Sequence, residues 1–581
     1  MKVIRRRPGI GYIDTLFWVP KDKINVEGVK NALTFQFFEK KSVQFLTLWR
    51  ETTNHLLVPR EFWDTTAEGI TFPIIDCRPS SFPTVDIRSK IRLDHRYEGG
   101  QLHPTGDHIQ EEALDKLLTS RGGILQLACG KGKTVVALEL TARKRVPTLI
   151  VVDTTQLVRQ WREEIELHLE VPGGVGMLGD GEFDWNHPIV IATYHTLANR
   201  AATFPEEVRR RFGLIIWDEA HHVAAPKFSR SADLFLGQRV GLTATPIRSD
   251  GMHVVYSSHI GNVLYKNLTQ ELKPEITFEW SGIQITEDAL SHLATHDKNG
   301  EIHLGKLAGY FATRVDRLDF ILNKVRKAIA EGRKIIVLSK SVDESINLLA
   351  RWNGRPELYT DIPYPTAHDV GEVIPPAELE KKEEKELNKK LAITITQLQD
   401  KFLNTVKRDT LQTKKKNIEF RLAQHRVWLK TEKLYRFHQR EYLKDLLQDP
   451  STGGLMIYKV DADKRTELLR SKQVTFSIMK YGREGLNERS LDTIITCEPV
   501  GDEGAIQQLL GRILRVKIGK QAPHAIFIED DVGILIGMCT KIRQMLREWP
   551  AEDGGPFDYT LVGHPSTRNR RQSWTSNSPR T

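Results

Sequence analysis

One arrangement recurs between residues 120 and 220: a short unbroken apolar run, then glycine or polar residues, then helical spacing. Gly123-Ile124-Leu125-Gln126-Leu127-Ala128 leads into Gly130-Lys131-Gly132-Lys133-Thr134 and then into a helical pattern over Val135 to Leu140. The runs Thr148-Leu149-Ile150-Val151-Val152, Pro188-Ile189-Val190-Ile191-Ala192 and Leu214-Ile215-Ile216-Trp217 follow. Strands apolar on both faces and separated by helices form a parallel sheet covered on both sides. A second block of this kind begins near Gly305, with its first clear strand at Lys334–Ser339, resumes at Leu455–Tyr458 and runs to about 550.

A chain of 581 residues exceeds what one core can organise, so three or four domains are expected. The expected fold is α/β, with two tandem parallel-sheet domains over 96–270 and over 305–365 plus 451–555. A small β-rich accessory domain occupies 1–95, where Ala32–Phe37 and Phe45–Trp49 read as strands. A connector covers 271–304, a helical insertion 366–450, and a disordered tail 556–581, rich in Ser, Arg, Asn and Pro. From Ala377 to Asp449 there is neither Gly nor Pro, and Leu387, Leu391, Ile395, Leu398, Phe402 and Val406 mark one helix face. Two antiparallel helices of about 45–55 Å each fit the insertion, with a break near Lys407-Arg408-Asp409-Thr410, where Asp409 or Thr410 can cap a new helix. This arm is net positive and contains Lys414-Lys415-Lys416; a solvated coiled-coil face and a DNA or protein contact both fit it.

Composition narrows the setting. The net charge of +9, 84 basic against 75 acidic residues, suits a polyanionic partner. Cys77, Cys129, Cys497 and Cys539 lie far apart, without a CxxC pair, as in a protein with reduced thiols. No apolar run approaches the ~20 residues that span a bilayer, and Met1–Pro8 lacks the apolar stretch of a signal peptide. A cytoplasmic setting is expected.

The motifs carry the chemistry. A phosphate site needs backbone N–H groups at a helix N-terminus, a lysine for the β/γ-phosphates and a hydroxyl for Mg²⁺. Gly130, Gly132, Lys133 and Thr134 supply these, although Leu127 stands where GxxxxGK[ST] has its first glycine. Asp218-Glu219-Ala220-His221 follows an apolar strand, where Asp218 can hold the cation and Glu219 can polarise a water. Thr243-Ala244-Thr245-Pro246 and Gln508-Leu509-Leu510-Gly511-Arg512-Ile513-Leu514-Arg515 come next in order.

Four such motifs in this order resemble superfamily-2 helicases and translocases over roughly 96 to 550, less the insertion. The Cys129-Gly130-x-Gly132-Lys133-Thr134 loop is most similar to the branch containing UvsW-like phage helicases and XPB-like DNA helicases. The resemblance implies ATP and Mg²⁺ as cofactors and DNA, single-stranded, duplex or branched, as partner. It implies that Gln110 reads adenine and that Gln156, Gln160, Thr193, Tyr194 and His195 meet the nucleic-acid backbone. Thr243 and Thr245 would couple the two sites, and Ser339-Lys340 would begin a backbone contact in the second motor domain. Gly485 and Asn487 match a family motif that often ends in Asp, so Asn487 keeps an acceptor and loses the charge. Gln508, Arg512 and Arg515 match the arginine-finger motif, in which a guanidinium meets the γ-phosphate. The implied activity is ATP-driven DNA unwinding or branch migration, in replication, recombination or repair; the implied polarity is 3′→5′.

Two alternatives remain at this level. The Asp-Glu-Ala-His motif also occurs in RNA helicases, and restriction or nuclease complexes contain a similar motor. Asp86 to Lys90 offers an acid and a lysine but lacks the middle acid of a nuclease site, and reads better as a strand-end turn.

Overall fold

A computed structural model describes residues 6–361 apart from 40–41, 64–69, 99–100, 129, 180, 202, 245–251, 270–271, 286–288, 290–303 and 356. It further describes 382–448 apart from 400–404, and 453–565 apart from 458–459, 461, 484–487, 502, 515–516, 518 and 551–554. The chain is mixed α/β with parallel sheets, as expected, and separates into two units. One unit comprises 1–285, 328–336 and 479–581; the other comprises 286–327 and 337–478.

The first unit is built on an eight-stranded sheet. Its order is Glu182–Phe183, Val175–Gly179, Ile189–Thr193, Thr148–Val152, Leu214–Asp218, Gln238–Thr243, Gly122–Leu127 and Val263–Asn267. All neighbours run parallel except the first pair. The central strands are buried on both faces, which is why each reads as an unbroken apolar run. Their register sets the candidate site: Val152 lies opposite Thr193, Val151 opposite Trp217, Asp218 opposite Leu242, and Gln126 opposite Thr243. The polar residues that follow these strands therefore collect at one sheet edge, the carboxyl ends, where parallel α/β sheets hold ligands.

The N-terminal segment forms a five-stranded sheet and the hairpin Thr34–Glu39 with Ser42–Thr47. Ala32 ends a helix, Val26–Ala32, instead of beginning a strand, because Asn25 caps that helix through Gly28 N–H. The segment does not pack as a separate body. Phe17, Val19, Leu56 and Val58 share one core with Leu149, Ile215 and Trp217 of the large sheet. Two fully buried arginines bind the parts: Arg60 donates to the carbonyls of Leu236 and Gly237 at 3.0 and 2.9 Å, and Arg239 donates to Thr15 O at 2.8 Å. The boundary expected at residue 95 is thus not a break in packing.

The stretch expected as connector contains a strand, Glu275–Trp280, parallel to His524–Glu529 and to Thr560–Val562. His524–Glu529 also pairs in parallel with Thr493–Thr496. Ile276 and Phe278 are buried, and Phe278 stacks on Phe527. The tail boundary at 556 shifts for the same reason, since Thr560–Val562 belongs to this sheet; 566–581 lie outside the described residues.

In the second unit Gly453–Met456 runs parallel to Val474–Ile478. The insertion is two packed helices, Lys382–Leu398 and Thr405–Gln448. They are unequal, about 26 and 66 Å at 1.5 Å per residue. Asp409 and Thr410 lie inside the second helix, where Asp409 O accepts from Thr413 Oγ1, so the break is not at 407–410. Asp409 and Thr410 are exposed there, and a good cap residue ends a helix only where tertiary contacts reward the turn. Near its end the long helix is tied to the unit by Tyr442, whose hydroxyl donates to Glu357 O at 3.1 Å beside the Tyr359 ring.

Candidate active site

The loop between Gly122–Leu127 and the helix Lys133–Lys144 is shaped by two glycines. Gly130 has φ +88° and Gly132 φ +83°, conformations that glycine adopts without strain. A Cβ on Gly132 would also sit 2.4 Å from Gln110 Nε2. The helix begins with Lys133 and Thr134, both half-exposed, so its unpaired N–H groups face the loop. Lys133 Nζ donates to Leu127 O at 3.0 Å, across the loop it belongs to.

Gln110 is 9 % exposed and supports this loop, with Nε2 donating to Lys131 O at 3.3 Å. Its Oε1 accepts from Asp94 N–H, while Asp94 Oδ1 and Oδ2 accept from the N–H groups of Gln110 and Glu111. Asp94 therefore caps the helix Ile109–Thr119 from a position well upstream, where His108 makes no side-chain cap. No local pattern in the sequence points to Asp94, because its role depends on a left-handed turn at φ +53°.

Asp218 and Glu219 end the strand Leu214–Asp218 beside the loop. Asp218 Oδ2 accepts from Trp161 Nε1 at 2.8 Å, and Oδ1 accepts from Glu219 N–H at 3.0 Å. The Asp218 carbonyl accepts from Tyr194 Oη at 2.9 Å. Burial and then the Glu219 charge push the Asp218 carboxyl up to about 6, against the opposing pulls of Trp161 and Lys133. Burial also acts on Glu219, but His221, Lys133, Arg512 and His222 together outweigh it and hold that carboxyl below its usual range. Glu219 adopts φ +45°, a strained conformation for a glutamate and of a kind that gathers at working sites. Its Oε2 is buried and accepts no hydrogen bond from the described residues; His221 Nδ1 lies 3.6 Å from it.

Lys133, Asp218, Glu219 and Arg512 belong to one unit, and the charges of Lys133 and Arg512 both act on the Glu219 carboxyl. Arg512 lies in the helix Glu503–Ile513, half-buried, with Gln508 one turn earlier. Arg515, Thr245, Gly485 and Asn487 lie outside the described residues. Thr243 is fully buried at the end of its strand, next to the strand bearing Asp218.

The residues expected to meet nucleic acid fall into two groups. Gln156 and Gln160 are half-buried on the helix Thr155–His168, which Thr154 caps, and His195 is exposed near Lys227. Thr193, by contrast, caps the helix Tyr194–Arg200 by accepting from Thr196 N–H, and Tyr194 is fully buried against Trp217, His222 and Phe228. Burial, then Asp218, Asp153 and Glu219, raise the Tyr194 phenol well above its usual range, so it stays a neutral donor. A ring enclosed in this way cannot itself touch a backbone; its contact is with Asp218. In the second unit Ser339 is buried, bonded to Glu344, which also pairs with the fully buried Arg317. Lys340 beside it is exposed.

Trp161 and Tyr194 were not singled out as partners of Asp218 by the sequence. The signal available was the buried stripe Val158, Trp161 and Ile165, which says only that Trp161 faces the core. Asp86 pairs with Arg88 beside the short strand Arg88–Ser89, as a strand-end turn does. Among the described residues no helix is long and apolar enough to cross a membrane.

Residues 104–248 match the family model described as type III restriction enzyme, res subunit. This stretch, a quarter of the chain, holds Gln110, the glycine loop, Asp218-Glu219 and Thr243, and it resembles the motor domain of superfamily-2 helicases as a class. Within that class the chain is 40% identical over 164 residues to the DNA 3′-5′ translocase XPB2 of Sulfurisphaera tokodaii, covering 28% of this chain and 36% of that one. It is 36% identical over 177 residues to the DNA 3′-5′ helicase XPB of Kineococcus radiotolerans, covering 30% and 31%. The resemblance to XPB-like helicases is thereby borne out, over about a third of these relatives' length. The solved structure of T4 UvsW overlaps 81% of this chain and 79% of its own at 14% identity, with a TM-score of 0.26.

Proposed function

We propose that this chain is an ATP-dependent DNA helicase or translocase with 3′→5′ polarity, built on two RecA-like motor domains. One observation supports this most: Lys133 and Arg512, more than 370 residues apart in sequence, both bear electrostatically on Glu219. A site that gathers a phosphate-loop lysine, two strand-end carboxylates and a distant arginine is suited to phosphoryl transfer, where catalysis is chiefly positioning and charge stabilisation.

The roles follow from the geometry. The helix N-terminus at Lys133 and the N–H groups around Gly130 and Gly132 cradle the phosphates of ATP. Thr134 and Asp218 would hold Mg²⁺, and the fit is electrostatic: two adjacent carboxylates that resist joint ionisation are eased by a divalent cation. When bound, the cation neutralises charge on the β- and γ-phosphates. Glu219, kept ionised and with Oε2 unsatisfied, orients and deprotonates the attacking water. Arg512, with Arg515 in the same motif, adds positive charge as the γ-phosphate leaves. Gln110 braces the phosphate loop through Lys131 O, beside any contact it makes to adenine. Gly485 and Asn487 complete the nucleotide contacts in this reading.

Coupling to DNA also has a physical route. The helix bearing Gln156 and Gln160 reaches Asp218 through Trp161, and the helix bearing His195 reaches it through Tyr194. A strand that shifts either helix changes the environment of Asp218; Thr243, at the end of the neighbouring strand, would share that route, and Thr245 belongs to the same motif. The DNA translocase and DNA helicase activities named for the two relatives favour DNA over RNA. Roles in repair, recombination or replication, and a cytoplasmic or phage-infected setting, belong to this proposal. The motor of a restriction complex is the second reading, favoured by the family description alone; no nuclease constellation stands among the described residues. ATP hydrolysis measured with duplex, forked DNA, Holliday junction and RNA tests the proposal. Stimulation by DNA supports it, and indifference to every nucleic acid refutes it.

A further inference from the structure

The charge of this chain is concentrated in one element. The helix Thr405–Gln448 carries 12 basic and 5 acidic residues, hence +7, against +9 for all 581 residues. Part of that charge lines a groove against the shorter helix Lys382–Leu398. Leu387 and Lys390 form one wall; Lys414, Asn417, Phe420 and Arg421 form the other. Lys414, Asn417 and Arg421 recur at i, i+3 and i+7, so they share one face. Among the described residues no carboxylate lines the groove. Lys415 is offset by Glu419 at 3.7 Å, whereas Lys390, Lys414 and Arg421 form no ion pair among the described residues.

Phe420 adds a second, independent feature. It is 63% exposed, although Ile418 and Leu422 beside it are buried between the helices. The hydrophobic register of the helix thus has its inward positions filled, and Phe420 projects from the groove wall among cations. Cations spaced along a groove suit a phosphodiester backbone, and an exposed aromatic among them suits an unpaired base. A duplex keeps its base faces stacked and offers nothing to Phe420.

We infer that this groove is a binding site for single-stranded nucleic acid, with the backbone on Lys390, Lys414 and Arg421 and a base stacked on Phe420. The inference rests on the reading of the chain as a nucleic-acid motor, and gives the arm a strand-holding task separate from the hydrolytic residues. The bonds are charge and stacking alone, so affinity is largely independent of sequence and falls with salt.

The test is fluorescence anisotropy with labelled oligo-dT, oligo-rU and a DNA duplex over a range of salt. It compares the full-length chain, the triple variant Lys390→Glu/Lys414→Glu/Arg421→Glu, and Phe420→Ala. ATPase without and with DNA is read on the same samples. The triple variant should bind the single strands at least about ten-fold more weakly, with a salt slope lower by about 2, since each lost single-strand contact removes ~0.7. Phe420→Ala should lose about five-fold or more on single strands and nothing on duplex. Basal ATPase should stay unchanged in both, which certifies the fold. Unaltered single-strand affinity and salt slope in both variants would overturn the inference and make the arm a protein-docking element; persistent DNA stimulation of ATPase would then leave the motor reading intact. Equal loss on duplex and single strands for Phe420→Ala would overturn the base-stacking role. Wild-type ATPase indifferent to all nucleic acids would instead sink the motor reading.

Discussion

Replacing Trp161 with Phe removes one hydrogen bond and keeps an aromatic ring in the core. In the structure the indole N–H donates to Asp218 Oδ2 at 2.8 Å and holds down a carboxyl that burial and the Glu219 charge still push up to about 6. A hydrogen bond to a charged acceptor is worth ~1.5–3 kcal/mol. Asp218 is half-buried, so solvent reduces this to about 1 kcal/mol. At 1.36 kcal/mol per pH unit, the carboxyl should rise by roughly 0.7 of a unit. The sign is fixed by the chemistry: Asp218 must be ionised to hold a cation, so turnover falls on the acid side, and Trp161→Phe moves that fall to higher pH. The assay is kcat/KM for ATP hydrolysis against pH at subsaturating Mg²⁺, where proton and cation compete. Added Mg²⁺ should restore the wild-type profile. Trp161 is only 2% exposed, so the smaller ring leaves a void; a melting curve separates this cost, about 1–2 kcal/mol, from the shift in pH dependence. An acid limb that stays in place, or one that moves but ignores Mg²⁺, would refute the reasoning.

Lys133→Ala should abolish turnover while DNA binding persists; full turnover by that variant would remove the loop from the mechanism. Asp218→Asn should also be inactive yet melt higher than wild type at pH 8. The raised carboxyl favours the protonated folded chain, so the wild type loses stability between about pH 4 and 6, and a variant that cannot ionise is spared about 1 kcal/mol after allowance for solvent. Equal melting temperatures at pH 8 would contradict the strain assigned to the carboxylate pair. Arg60→Met should destabilise the first unit by about 3 kcal/mol, because the carbonyls of Leu236 and Gly237 lose their donor in a buried setting. Proteolysis confined to residues 1–95, with ATPase retained, would show instead that the N-terminal segment stands alone.

The legible and illegible parts of this chain differ in what fixes them. The phosphate loop and Asp218-Glu219 could be read because a buried strand, a glycine turn and a capped helix follow one another locally. The charge that Arg512 exerts on Glu219 could be anticipated only through resemblance, since nothing in the residues between specifies it. Tyr194 was expected at the nucleic-acid surface because it follows a strand end, but its ring is large and apolar enough to be drawn under His222 and Phe228. Asp94 was invisible because its capping role requires a turn that brings distant residues into reach. The strand Glu275–Trp280 lay in an apparent linker because six residues beside Pro274 carry little periodic signal, and only pairing with His524–Glu529 reveals it. The long helix runs through Asp409 and Thr410, good caps by composition, since helix-favouring residues on both sides outweigh a local cap.

The convergence of Arg512 on the phosphate-loop site is the central claim, and steady-state ATPase of Arg512→Ala with saturating DNA tests it most directly. Removal of an arginine that stabilises phosphoryl transfer costs on the order of 1000-fold in turnover, so the variant should bind ATP and DNA with near-normal affinity and hydrolyse at least that much more slowly. DNA-stimulated turnover within a few-fold of wild type would contradict the account.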